Sequence, residues 1–237
     1  MPMAIEKDIL MATSFEPAST PRLRCELHNA ITHFAHSTFE CDMTDPHSIE
    51  LVHFGSKRWA NYFKVVLLGL QSVLPPEVRQ NAHGTIKVLV DGTVPPESSL
   101  SSSAAMTTCS SIVILTALKA LHVVPRKVIA DVACHSERLV GVHSGGMDQA
   151  VSVFGQRDKA LFVSFAPTLH VSPIELPLGH QYVFLVTNTM IKSDKKATAP
   201  ERYNLRVVET RLAAAVLKRV LLSLIHISEP TRPLYIS

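Results

Sequence analysis

Charge is scarce in this chain. Only 18% of its 237 residues are Asp, Glu, Lys or Arg, and they leave a formal net charge of +3. A dedicated nucleic-acid binder needs a denser positive field, and no basic cluster supplies one. The short run at Lys192, Lys195 and Lys196 reads as a solvated loop rather than a phosphate clamp. Cysteine is sparse too. Cys25, Cys41, Cys109 and Cys134 stand far apart and none forms a C-x-x-C pair, so nothing points to a thiolate zinc cage or a disulfide framework. Reduced thiols and a cytoplasmic location are the expectation. The start, from Met1 to Asp8, holds no apolar signal core. The most apolar late stretch, residues 213–225, contains Lys218 and Arg219, so no membrane span is expected. Repeats and low-complexity tracts are absent. The histidines are scattered. His33/His36 and His47/His53 are spaced as metal pairs, but solvated or core histidines explain them more simply.

What is plentiful is apolar surface. The chain is 46% hydrophobic, enough for one or two domains with a true core. Short alternating stretches in residues 1–45, among them residues 31–35, read as strands. Residues 57–73 place Trp59, Tyr62, Phe63, Val66, Leu67 and Leu70 at helical spacing, an amphipathic helix with a core-facing side that Pro75 and Pro76 end. Residues 85–94 read as a buried strand and residues 102–121 as a long buried helix. Pro125 opens a second helix that runs to about Arg138. Further strands are expected over residues 160–165 and 182–190, and a last helix from about Ala199, carrying Tyr203, Leu205, Val208 and Leu212. Strands and helices mix without regular alternation, which indicates an α+β fold.

Two places carry chemistry. Between the strand and the long helix lies a run from Gly92 to Ala105 rich in serine and proline. Free N–H groups and a positive dipole end make the start of such a helix an anion site, and serine hydroxyls add donors to phosphate or a ligand to magnesium. A plain serine-rich loop with a helix cap fits the same residues. Farther on, Asp148 follows Gly145 and Gly146 and sits among apolar neighbours. A carboxylate there is either a cap for the following turn or a working group. A sugar kinase needs one to orient the attacking hydroxyl and to accept its proton.

The residues around these places resemble a known family. The stretch from Pro95 to Ala104 is similar to the second signature of the GHMP small-molecule kinases, P-x-x-x-G-L-S-S-S-A. The stretch from Glu137 to Gln149 resembles the galactokinase version of the region that carries the catalytic aspartate. Trp59-Ala60-Asn61-Tyr62-Phe63-Lys64, Thr187-Asn188-Thr189 and the stretch from Tyr203 to Glu209 are similar to fungal galactokinases. The resemblance covers most of residues 3–220. It implies two α+β lobes with the site between them: an N-terminal lobe over residues 1–178, the start of a C-terminal lobe over 179–222, and a tail over 223–237 that matches nothing in the family. It implies ATP-dependent phosphorylation of galactose at C1, with Mg2+ as cofactor. By resemblance, Asp148 is the catalytic aspartate facing the C1 hydroxyl. Gly145 contacts the sugar through its backbone, and Tyr203 hydrogen-bonds a ring hydroxyl. Ser98, Ser99, Leu100, Ser101, Ser102, Ser103 and Ala104 wrap the ATP phosphates, while Ser103 and Glu137 are candidates for the magnesium shell.

The departures matter as well. The family usually has glycine where this chain has Ser99, and often where it has Glu97. Ser99 is expected to be tolerated with a negative φ. A glutamate about 8 Å from a phosphate charge costs roughly 2 kcal/mol at an effective dielectric of ~20, and an outward-pointing, solvated Glu97 costs far less. No match to the family's first signature, G-R-V-N-L-I-G-E-H-x-D-Y, or to its late glycine-rich third signature is found; Arg22 and Arg24 do not sit in the first pattern. The chain is therefore expected to be an interior fragment with little or no kinase activity, because the family's catalytic arginine goes with that first signature. Residues 223–237 are expected to be read-through sequence, an ordinary divergent C-terminus being the alternative. Two other readings share the motifs: a non-catalytic galactose and ATP sensor that binds a regulatory protein partner, and an N-acetylgalactosamine kinase.

Overall fold

The computed structural model describes residues 2–176, 184–187 and 203–220. Four strands, β1 (Ile9–Pro17), β2 (Leu23–Asn29), β3 (Ser37–Cys41) and β4 (Gly84–Gly92), form one sheet in the order β1-β4-β2-β3. β4 runs antiparallel to β1 and parallel to β2, and β3 runs antiparallel to β2. Alternation decides which face is buried. Leu23, Cys25 and Leu27 of β2 and Ile86, Val88 and Val90 of β4 point into the core. Their neighbours face solvent and carry ion pairs such as Arg24–Glu26 and Lys87–Glu16.

Helices cover the apolar face. α1 (Asn61–Gln71), α3 (Ser102–Ala117) and α4 (Arg126–Leu139) pack against one another, and α5 (Met147–Phe154) packs on α3 and α4; a short α2 (Pro76–Gln80) precedes β4. α3 is the central helix. Its Ala104, Met106, Val113, Ile114 and Leu115 are buried, and so are Thr107 and Ser111. Those two hydroxyls donate to carbonyls one turn back, at 3.2 and 2.8 Å, which satisfies them in the core, whereas the buried hydroxyls of Thr108 and Ser110 on the same helix find no partner. Arg126 donates to the Val153 carbonyl, tying the start of α4 to the end of α5. β5 (Lys159–Ser164) and β6 (His170–Glu175) form a separate hairpin, and α6 (Asn204–Val220) follows.

Several expectations are corrected. Residues 31–35 are a turn, not a strand: the Asn29 side chain accepts the Ile31 N–H at 2.9 Å and the Ile31 carbonyl accepts from Phe34 at 3.0 Å, local bonds that outcompete a ladder. The long helix ends at Ala117 rather than at 121, and Lys119 takes a left-handed φ of 55° just beyond it. Chain entry into α1 is a short 3-10 turn, Arg58–Ala60. β6 and the helical state of residues 147–154 had no clear periodic signal. Of the strand expected over residues 182–190, residues 184–187 form no strand and the rest lie outside the described residues. So do residues 223–237 and much of 179–222.

Candidate functional site

The serine loop is shaped by its backbone. Thr93 anchors it: the N–H groups of Thr93 and Val94 donate to the Asp8 carbonyl at 2.9 and 3.2 Å, and the Thr93 hydroxyl reaches Asp8 Oδ1 at 3.1 Å. Beyond this anchor φ is +57° at Glu97, +60° at Ser99 and +58° at Ser101, and negative at Ser98 and Leu100 between them. The expectation of a negative φ at Ser99 is thus overturned. Left-handed residues alternating with residues of negative φ are the kind of backbone that can form an anion-binding concavity. Among the described residues, none of the N–H groups of residues 97–104 meets an acceptor. They sit at the positive end of α3. Non-glycine residues in this conformation cost about 1–2 kcal/mol each, so the cradle stores strain.

The loop forms one wall of a cleft of about 330 Å³. Ser99, Ser101, Ser102 and Ser103 line it, as do Glu97 and Asp91. Opposite them stand Arg58, Trp59 and Tyr62. Spacing alone assigned the last two to the core. Trp59 is only 7% exposed and its indole N–H donates to the Ala35 carbonyl at 2.8 Å, so one side chain both packs and lines the cleft. Ser98, Leu100 and Ala104 do not line it. The Ser98 hydroxyl turns to the Pro95 carbonyl at 2.7 Å, and Ala104 is buried. Val142, just past α4, shares the cleft wall with Ser101, Ser102 and Ser103, which brings the end of α4 to the start of α3.

The second group of residues is assembled at that same end. Glu137 is buried near the end of α4. Its Oε2 accepts from the Ser144 hydroxyl at 2.7 Å and from the Gln149 amide at 2.6 Å. Oε1 takes no hydrogen bond among the described residues. Arg138 donates to the Ser144 carbonyl at 3.2 Å, holding the turn from the other side. Gly146 then reverses the chain with φ +88°, and a Cβ there would meet Cys134 Sγ at 2.9 Å. Asp148 lies in the first turn of α5, half-buried, where the helix dipole favours its negative charge. Tyr203 faces this group. Burial pushes its hydroxyl pKa above the ordinary value, and the nearby carboxylates of Asp148 and Glu137 push it further. Asn204 fixes the start of α6 by accepting from His143 N–H and donating to the Gly141 carbonyl, both at 3.3 Å.

Asp148, Glu137 and Tyr203 are therefore brought together, although Asp148 and Gly145 do not line the 330 Å³ cleft. Gly145 lies beside Cys134, Gly146 and Phe165. Ser144 and Gln149 were missed by sequence reasoning; the available signal was a glutamine next to Asp148 at a helix start whose later residues are mostly apolar. Among the described residues no cluster of three or more His, Cys, Asp or Glu side chains is placed to hold a metal. No helix among them is long and apolar enough to cross a membrane.

Comparison with known proteins bears on both places. Residues 61–156 match the profile of the GHMP kinases N terminal domain, a span that includes the serine loop and Asp148. Over that span the chain is similar to the GHMP kinases. It is 32% identical over 227 residues to the galactokinase of Schizosaccharomyces pombe, covering 92% of this chain and 42% of that protein. It is 35% identical over 222 residues to the galactokinase of Candida albicans, covering 93% of this chain and again 42% of the relative. The chain thus spans less than half the length of the curated relatives it matches. The crystal structure of Lactococcus lactis galactokinase complexed with galactose superimposes with a TM-score of 0.66 at 22% identity, over 95% of this chain and 52% of that one. At that identity the match speaks for the fold. It agrees with the α+β fold described above.

Proposed function

We propose that this GHMP kinase domain is the nucleotide-binding part of an ATP-dependent galactose kinase acting at C1. One observation carries the reading: the loop opening α3, with left-handed φ at Glu97, Ser99 and Ser101 and N–H groups that meet no acceptor among the described residues, lines a cleft. A triphosphate supplies the negative charge this cradle lacks. The aromatic side chains of Trp59 and Tyr62 in the same cleft suit a nucleobase, whose flat face stacks on them. The curated relatives at 32% and 35% identity are galactokinases, which supports galactose as the acceptor.

In this reading Asp148 orients the sugar C1 hydroxyl and accepts its proton as the hydroxyl attacks the γ-phosphate. Tyr203 holds a ring hydroxyl, and the Gly145 backbone borders the sugar. The oxygen donors of Ser103 and Glu137 are the hard ligands that Mg2+ takes, and Glu137 Oε1 is the oxygen left over after Ser144 and Gln149 are satisfied. Bound there, Mg2+ would neutralise phosphate charge. Isothermal titration with MgATP and with galactose tests the proposal. Nucleotide binding that inorganic tripolyphosphate competes away supports it. A folded chain that binds no MgATP overturns it.

A further inference from the structure

Phe54 is the most conspicuous apolar group outside the core. It is 88% exposed, yet it adjoins the cleft, since its neighbours Gly55 and Ser56 line it together with the serine loop. The segment is pinned on both sides. Before it, Asn61 clamps Val52 through two bonds of 2.9 and 2.7 Å. After it, the Ser56 carbonyl accepts from Ala35 N–H at 3.3 Å. Between these anchors the backbone of His53 and Phe54 makes no hydrogen bond among the described residues. Gly55 has a φ of +86°, and the space where a Cβ would project is open to 4 Å. The tip is therefore a short aromatic flap on a glycine hinge.

We infer that Phe54 caps the nucleobase: the flap turns about Gly55 and lays its ring over a purine held in the cleft. Consecutive Cα atoms are about 3.8 Å apart, so a residue adjoining the cleft wall needs only a local rotation to put its ring across the mouth. Burying the ring against a base removes exposed apolar area that water otherwise has to solvate. It also adds a stacking partner facing Trp59 and Tyr62. The inference rests on the nucleotide reading of the cleft given above and goes beyond it in assigning a residue that does not line the ligand-free cleft.

The test compares two probes on the full chain, ADP and inorganic tripolyphosphate, by isothermal titration with wild type and Phe54→Ala. Phe54 is outside the core, so its removal leaves folding intact. The expected result is a loss of ADP affinity of about five-fold or more, the lower end of what base–aromatic stacking contributes, with tripolyphosphate affinity unchanged. Equal ADP affinity in the two proteins overturns the capping role. An equal fall for both probes also overturns it, because it places the effect on the loop and not on the base. A wild-type chain that binds neither probe removes the nucleotide reading itself.

Discussion

Gln149 donates its side-chain amide to Glu137 Oε2 at 2.6 Å, one residue along from Asp148. Both side chains are buried, and the bond ties the turn carrying Asp148 to the end of α4. The two partners are not equivalent. Glu137→Ala leaves the buried Ser144 hydroxyl without its acceptor and the Gln149 amide with only a long 3.5 Å contact to Ser144 Oγ, and is expected to cost about 3 kcal/mol. Gln149→Leu leaves Ser144 still bonded to Glu137 and also removes Gln149 Oε1, a buried atom with no partner. It is expected to cost about 1 kcal/mol. Urea midpoints of the two variants check the ordering; equal losses would contradict it.

The strain in the serine loop predicts a gain. Ser99→Gly removes a left-handed penalty of about 1–2 kcal/mol and adds an unfolded-state entropy cost of about 0.5–1 kcal/mol, leaving a net stabilisation of about 0–1.5 kcal/mol. Ser99→Ala keeps the penalty and is expected to gain nothing. The midpoint of urea unfolding, at unchanged m, distinguishes the pair.

Gly146 predicts the reverse. An alanine there meets Cys134 Sγ at 2.9 Å and Phe165 Cε1 at 3.3 Å while φ stays at +88°. Backbone strain and overpacking together are expected to cost about 2–4 kcal/mol. Thermal unfolding followed by circular dichroism measures the loss.

Tyr203 ties stability to alkaline pH. Its pKa is raised above the ordinary value of 10.0, first by burial and then by the Asp148 carboxylate. The folded state therefore holds the proton more tightly than the unfolded state. This contribution is complete below pH 10 and is lost as pH rises through the higher folded value. Absorbance titration of tyrosinate, taken as the difference between wild type and Tyr203→Phe, reports the folded value. Asp148→Asn is expected to move that titration downward, toward 10.0. An unmoved titration would place the two groups apart.

Much of the frame is legible along the chain. The alternation in β4 and the helical spacing of α1, α3 and α4 each record one buried face, a property that neighbouring residues carry together. The proline at position 125 marks the start of α4 for a similarly local reason. The serine run and the aspartate after two glycines are legible as local chemistry, and the family resemblance joins them. The turn at residues 31–35 and the helical state of residues 147–154 are less legible. A side-chain bond from Asn29 overrides the alternation in the first, and the second is too short to show a period.

Local pattern reaches as far as the elements and the kind of group each presents to solvent, since both depend on residues within a few positions of one another. It does not reach the meeting of Val142 with Ser101, Ser102 and Ser103, the burial of Glu137 beneath Ser144 and Gln149, or the approach of Tyr203 to Asp148. Nor does it reach the sign of φ at Ser99, which runs against the intrinsic preference of serine. The first and third of these features join segments tens of residues apart. Helix packing against the sheet sets them, because only in the folded core do the ends of α3, α4 and α5 arrive at one place.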